Sequence, residues 1–205
     1  MTDGDVVTMT DKARARRGYL GLAETCDLAS SGNVVLDPWS VLISRYAAIG
    51  RDNIFHPNVT VDCAPEGRCV VGSANKFFPG TFFVVVAGGQ IEIGDGNEFG
   101  DGGCAVKANR SASLVRVGSG GRYLSGAQVM GRSTLGSGSQ IIGPITVQDC
   151  TLAAGGAYRT ADPDDRGAVL KGSGLARGLH VGVGEVVNGA GAFSADMIER
   201  QSHYH

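Results

Sequence analysis

From Val117 to Val147 an aliphatic or aromatic residue recurs at every sixth position: Val117, Tyr123, Val129, Leu135, Ile141, Val147. A helix face requires spacings of three and four and a half-buried strand a spacing of two, so a period of six predicts a chain that coils repeatedly around one axis. The same phase is visible earlier, in Ile43, Ile49, Phe55 and Val61, then in Val71, Phe77 and Phe83, then in Ile93, Phe99 and Ala105. It slips by four residues after Val61 and again after Phe83, which places extra residues within the segments 62–70 and 84–90 and predicts bulges or loops leaving the coil there. Each hexad reads as a short strand and a corner, with Gly, Asn or Ser at the corner, as in Ile93-Gly94-Asp95-Gly96-Asn97 and Leu135-Gly136-Ser137-Gly138-Ser139. Stacked coils then become parallel strands, and about six of them make a prism roughly 30 Å tall.

Composition narrows the picture. Glycine supplies 33 of 205 residues, yet 42% of the chain is hydrophobic, so the glycines belong to turns of a packed fold rather than to a linker. A net charge of −2 provides no field for a nucleic-acid backbone or an anionic membrane, and the longest apolar run, 82–87, is too short to span a bilayer. With no apolar leader at the start, the expectation is a cytoplasmic protein that binds neither nucleic acid nor membrane. The five cysteines are scattered without a Cys-x-x-Cys pair and read as free thiols; Cys104 is expected to be a buried thiol rather than a nucleophile.

The chain divides into an N-terminal arm (1–30), a β-helix domain (31–160) and a C-terminal tail (161–205) packing on the prism. The arm, with Lys12, Arg14, Arg16 and Arg17, is expected to be flexible or solvated. In the tail, Asp162-Pro163-Asp164-Asp165 reads as a linker, 180–188 as an added strand and Ser194 as the cap of a short final helix through Met197, Ile198 and Glu199.

The hexads Ile49-Gly50-Arg51-Asp52-Asn53-Ile54, Ile93-Gly94-Asp95-Gly96-Asn97-Glu98 and Val117-Gly118-Ser119-Gly120-Gly121-Arg122 resemble the repeat of the left-handed parallel β-helix proteins, the isoleucine-patch superfamily. Phe55-His56-Pro57-Asn58-Val59 and the segment 91–97 are most similar to the branch holding γ-class carbonic anhydrase-like proteins and the β-helical pointed-end subunits of dynactin. Gly174-Leu175-Ala176-Arg177 loosely resembles the exit stretch of hexapeptide transferases but lacks its proline. The resemblance implies an all-β, left-handed parallel β-helix, a homotrimer, and ligand sites between neighbouring prisms.

Of the four histidines only His56 falls among the repeats. In the acyltransferases of the superfamily a histidine takes the proton of the acceptor as it attacks an acyl-CoA thioester, a task suited to a group that titrates near neutrality. The resemblance therefore implies His56 as catalytic base, acyl-CoA as co-substrate and a small hydroxyl or amine as acceptor. His56-Pro57 also reads as a simple corner turn. Lys107 and Arg110 are candidates for the phosphates of coenzyme A, and Asn75 and Asn109 for contacts to the acceptor, each against the plainer roles of solvated charge and turn former. The run 77–87 could line an apolar channel, but core and trimer interface is the stronger reading. A γ-carbonic anhydrase metal site would need two further histidines in the prism, so no metal is expected. A non-catalytic assembly or binding module is the alternative, with a γ-carbonic anhydrase-like protein lacking its metal site behind it.

Overall fold

The computed structural model describes residues 3–204. Its core is a parallel β-solenoid of triangular section. One face is built from Val34–Val35, Ile54–Phe55, Lys76–Phe77, Glu98–Gly100, Arg122–Leu124 and Gln140–Ile142. The second is built from Leu42–Ile43, Thr60–Cys63, Thr81–Val85, Cys104–Ala108, Ala127–Met130 and Ile145–Gln148. Seven strands stack on the third face: Ala47–Ile49, Arg68–Val71, Gln90–Ile93, Leu114–Val117, Arg132–Leu135, Thr151–Leu152 and His180–Val181. The hexad phase is thus the order of the faces, with Val117, Tyr123 and Val129 each pointing inward from a different one.

The register departs from the hexad phase on the second face. Val106, not Ala105, lies between Phe83 and Val129 on the second face. The coil from Phe99 to Tyr123 is 24 residues long, four hexads' worth, so the phase returns although the corner at 101–103 has shifted the strand by one. The extra residues at 62–70 and 84–90 do not leave the coil as loops. They lengthen the paired strands and make the four-residue turns 64–67 and 86–89, widening the prism where Cys63, Val85 and Ala108 form a second inward column.

Two ladders run up the inside. Phe55, Phe77, Phe99 and Tyr123 stack with centroids 4.9, 5.4 and 5.2 Å apart, all fully buried. Burying each ring contributes roughly 1.5–3 kcal/mol, with offset stacking adding to it. At the corner between the third and first faces, Asn33, Asn53, Asn75 and Asn97 form a polar column. The Nδ2 of Asn53, Asn75 and Asn97 each donates to the Oδ1 below and to a glycine carbonyl of the next rung, at 2.9–3.1 Å. Buried corner amides that would otherwise be orphaned are thereby satisfied. The column stops at Gly121, because the Tyr123 hydroxyl occupies the space of a side chain there and pairs with Ser139 Oγ at 3.1 Å.

The solenoid does not end at residue 160. Residues 153–168 leave it as an excursion, and Val169–Arg177 then pairs with Gln140–Ile142 on the first face and with Ile145–Gln148 on the second. Glu185–Phe193 stacks in turn on that strand. Both long strands pass the corner without a break, through Gly172 and Gly174 in one and Gly189 and Gly191 in the other, so two faces merge into one sheet. The segment after Ser194 is a single 3₁₀ turn, Ala195–Met197, followed by the antiparallel strand Ile198–Arg200 rather than a helix. Asp162 accepts from the Asp164 N–H and opens a 3₁₀ turn at Pro163–Asp165.

The arm is ordered rather than loose. Helix α1, Asp3–Arg16, carries Asp5 in its first turn and arginines in its last, in accord with the helix dipole. Arg14 is only 5% exposed and donates to the carbonyls of Pro38 and Trp39 at 2.9 and 2.8 Å, which ties the helix to the first coil. Helix α2, Leu22–Asp27, begins where Asp11 Oδ1 accepts the Leu22 N–H at 2.7 Å. Among the described residues no helix is long and apolar enough to cross a membrane.

Candidate functional site

His56 opens the corner between the first and second faces, where the chain turns through Asn58 in the left-handed region at φ 62°. Its backbone N–H donates to Phe77 O at 2.9 Å, and its half-buried ring stacks on Phe78 with centroids 4.9 Å apart. No described residue hydrogen-bonds the imidazole. Both ring nitrogens are therefore open to an incoming group, and the ring orientation is set by the Phe78 face rather than by a carboxylate.

The run 77–87 is chiefly core. Phe77, Phe83 and Val85 are fully buried, while Phe82, 38% exposed, and the half-buried Val84 point outward on the second face. The neighbouring outward positions there, in register, are Thr60 and Ala105.

The other predicted residues lie elsewhere. Asn75 is 0% exposed, with Oδ1 taken by the N–H and Nδ2 of Asn97 and Nδ2 by Asn53 and Gly94. Every hydrogen bond that it could offer a substrate is already made inside the prism, which corrects its assignment as an acceptor contact. Lys107 points outward on the second face beside Gly80, Cys104 and Gln128. Asn109 and Arg110 are exposed on the turn that follows, Arg110 facing Ser113, Arg132 and Asp149. One chain thus gathers none of these with His56.

Burial pushes the Cys104 thiol up to about 12, so it is no nucleophile at neutral pH. Among the described residues no three His, Cys, Asp or Glu side chains come together as a metal centre. On the third face Glu92 bridges Arg68 and Arg116 at 3.4 and 3.0 Å, chiefly the hydrogen bond from Arg116 holding its carboxyl below the usual range; the group is exposed and marks a solvated surface.

A cavity that the hexad pattern does not encode lies toward the C-terminal end of the solenoid. It holds about 250 Å³ on the outside of the first face, and its floor is Arg122, Gln140, Ile142, Val169, Lys171 and Val186. The excursion supplies Tyr158 and Arg166 as one wall, and the C-terminal segment supplies Gln201 and Tyr204 as the other. Arg122 lies under the Tyr158 ring, 4.2 Å from its centroid, and pairs with Glu98 at 3.3 Å. Gln201 is fixed by donating to Gly167 O at 2.8 Å, and the Tyr204 hydroxyl donates to Glu199, which raises the phenol's pKa. Loss of hexad phase after residue 155, with Tyr158, Arg159 and Arg166 replacing aliphatic positions, is the signal in the sequence that this segment covers a site instead of extending the core.

Fold and site together define a parallel β-helix of hexapeptide rungs that carries an open histidine on one edge and a cation-lined pocket on another face. No known family's sequence pattern matches the chain, and no curated protein does. Among solved structures it is similar to LpxA from Acinetobacter baumannii, with 18% identity over 78% of this chain and 70% of that one and a TM-score of 0.36. An overlap that loose carries nothing about chemistry.

Proposed function

We propose that this protein is an acyl-CoA-dependent acyltransferase that works as a homotrimer, with His56 as its general base. The observation that carries this reading is the state of His56: half-buried on the prism edge, braced by Phe78 and hydrogen-bonded through its ring to no described residue. A histidine serving only as a corner former has no need of a braced and unoccupied ring. In the reaction the acceptor O–H or N–H attacks the thioester carbonyl while His56 takes its proton; the C–S bond then breaks, and the imidazolium returns the proton to the leaving thiolate. The prism alone leaves His56 without an opposite wall, which a neighbouring copy would provide. Lys107 and Arg110 are assigned to the phosphates of coenzyme A and Asn109 to the acceptor, while Asn75 has no role.

The test is a thermal-shift series with coenzyme A, acetyl-CoA and longer acyl-CoAs, followed by acyl-transfer assays on the parent and His56→Ala. Stabilisation of about 2.7 kcal/mol is expected at a hundredfold excess over Kd. Removal of the base should lower kcat by about 10²–10⁴-fold with KM little changed. No shift with any acyl-CoA, or full activity in His56→Ala, overturns the reading and favours the assembly module.

A further inference from the structure

The edge that carries His56 is apolar on both sides of the imidazole. Leu36, His56 and Phe78 hold the same corner position on successive rungs, their N–H groups donating to the carbonyls of Phe55, Phe77 and Phe99 at 3.0, 2.9 and 2.8 Å. His56 is thus the middle storey of a column, with the Phe78 ring stacked on it from one rung and Leu36 in the equivalent place on the other. The column ends at Gly100, where a Cβ would lie 2.7 Å from that of Phe78. Leu36 is 54% exposed, a large apolar side chain that the core does not use.

A second, independent feature is the corner next to His56 on the first rung. Between Val35 and Leu42 the chain takes six residues, 36–41, where the following rung takes four, 56–59, between Phe55 and Thr60. The longer corner carries Trp39, 52% exposed, as a ledge beside the column. The ledge is held still. The Trp39 N–H donates to Asp37 Oδ1 at 3.0 Å, the Trp39 carbonyl accepts from Arg14 Nη2 at 2.8 Å, and Ser40 Oγ accepts the Asn58 N–H at 3.0 Å, which ties the ledge to the corner of His56. Arg14 is 5% exposed, and its other terminal nitrogen, Nη1, is buried with no hydrogen-bond partner among the described residues. A buried guanidinium nitrogen left unsatisfied is costly and calls for an explanation. Here the same side chain that docks helix α1 also immobilises an exposed tryptophan.

Two observations narrow what the ledge receives. Leu36, Trp39, His56 and Phe78 fall far short of the roughly 20–30 residues a side that a stable protein interface takes, so this patch alone does not seat a second copy. The ledge also offers no free charge: the Asp37 carboxylate is engaged by the Ser40 hydroxyl and the Trp39 N–H, and the Arg14 guanidinium is buried. An uncharged ring suits such a surface, since aromatic pairs gain from stacking beyond the area they bury. Because one face of the imidazole lies against Phe78, its nitrogens point sideways out of the column, past the ledge. Resting on the transferase reading of His56, we propose that the acceptor is an aromatic amine or a phenol, its ring laid against Trp39 and Leu36 and its N–H or O–H presented to the imidazole. The acceptor nitrogen or oxygen bonds to the thioester carbonyl carbon as His56 takes its proton. The C–S bond breaks, the proton passes to the thiolate, and the product is an anilide or an aryl ester.

The experiment is a ligand-observed NMR titration of the full chain with 4-methylaniline and 4-methylphenol, with glucosamine and threonine as hydrophilic amine and hydroxyl controls, repeated on Trp39→Ala and Leu36→Glu. At least one aryl probe should bind and neither control should. Trp39→Ala should weaken that binding about two- to tenfold, the scale of one aromatic contact, and Leu36→Glu should abolish it. Both side chains are exposed, so the melting temperatures of the free variants should stay close to the parent's. In transfer from acetyl-CoA, Trp39→Ala should raise KM for the aryl acceptor while KM for acetyl-CoA holds, whereas His56→Ala lowers kcat. Ledge-dependent aryl binding without His56-dependent transfer upholds the ligand class of the ledge and overturns the transferase reading. His56-dependent transfer to glucosamine or threonine with no aryl binding does the reverse, overturning this proposal alone. Absence of aryl binding by the parent, or undiminished affinity in both variants, overturns it whatever the transfer assay gives. So does a fall in assembly state in Leu36→Glu by sedimentation velocity when the parent binds no aryl probe, which would assign the edge to a neighbouring copy.

Discussion

Asn75 and Asn109 look alike in the sequence, both near corners of coils, and the structure predicts opposite responses to the same substitution. In Asn75→Ala the Asn97 backbone N–H loses the Oδ1 it reaches at 2.9 Å, and the Gly94 carbonyl loses the Nδ2 at 3.0 Å. Two further groups are weakened but not orphaned: Asn53 Oδ1 keeps the Asn75 N–H, and Asn97 Nδ2 keeps the Gly118 carbonyl. Each buried group left without a partner costs about 1–3 kcal/mol, so the two fully orphaned groups set a loss of about 2–6 kcal/mol. Asn109 is exposed, and Asn109→Ala should change stability by no more than about 0.5 kcal/mol. The assay is urea unfolding followed by far-UV circular dichroism and by the fluorescence of Trp39, the chain's one tryptophan, with the two probes compared because a stacked-rung protein can depart from a single transition. A cost below about 1 kcal/mol for Asn75→Ala would refute the argument that the column's amides are shut off from water.

Two other outcomes are expected. Gly121→Asn should destabilise the protein, since its side chain would collide with the Tyr123 hydroxyl, and combining it with Tyr123→Leu should recover part of the loss in a double-mutant cycle because the space is vacated; simple additivity would refute the account of why the column stops there. The exposed Cys26 should react with a thiol reagent at pH 8 well before Cys69 and Cys104, both pushed up to about 12 by burial. Because the unfolded chain ionises these thiols near pH 9 and the folded one does not, their contribution is complete below about pH 8 and is lost as pH rises from about 9 towards 12, measurable as a falling unfolding midpoint.

The fold was legible because the core selects one large apolar residue per face, and three faces of near-equal width convert that into a period of six. It became illegible where the faces were unequal. A corner lengthened by one residue exchanged Ala105 for Val106, and the glycine-rich strands 169–177 and 185–193 hid two more rungs. Those rungs show in the six-residue spacings from Leu170 to Ala176 and from Val187 to Phe193, all four of them inward. The arm is solvated along most of its first helix, and its order was not legible in the sequence because it depends on Arg14 reaching carbonyls more than twenty residues away. The site was less legible for the same kind of reason: the pocket joins residues from four rungs, an excursion and the chain's last turn, a proximity that no local spacing encodes. Asn75 illustrates the converse, since a corner asparagine reads identically whether its amide meets solvent or another asparagine.

Tyr123 is the point at which the interior changes its rule. Before it, the coils beginning at Ile54 and Lys76 have equal lengths, each with an inward phenylalanine and an asparagine at the closing corner, and each receives its neighbour through the same contacts. After it, aliphatic residues and glycines take over and the asparagine column does not continue. The N-terminal half is therefore modular in a way the C-terminal half is not: a further copy of the segment 54–75 spliced in before Lys76 would find matching partners above and below. Gene duplication, or a designer, could lengthen the protein there by whole storeys while leaving the pocket at the far end untouched.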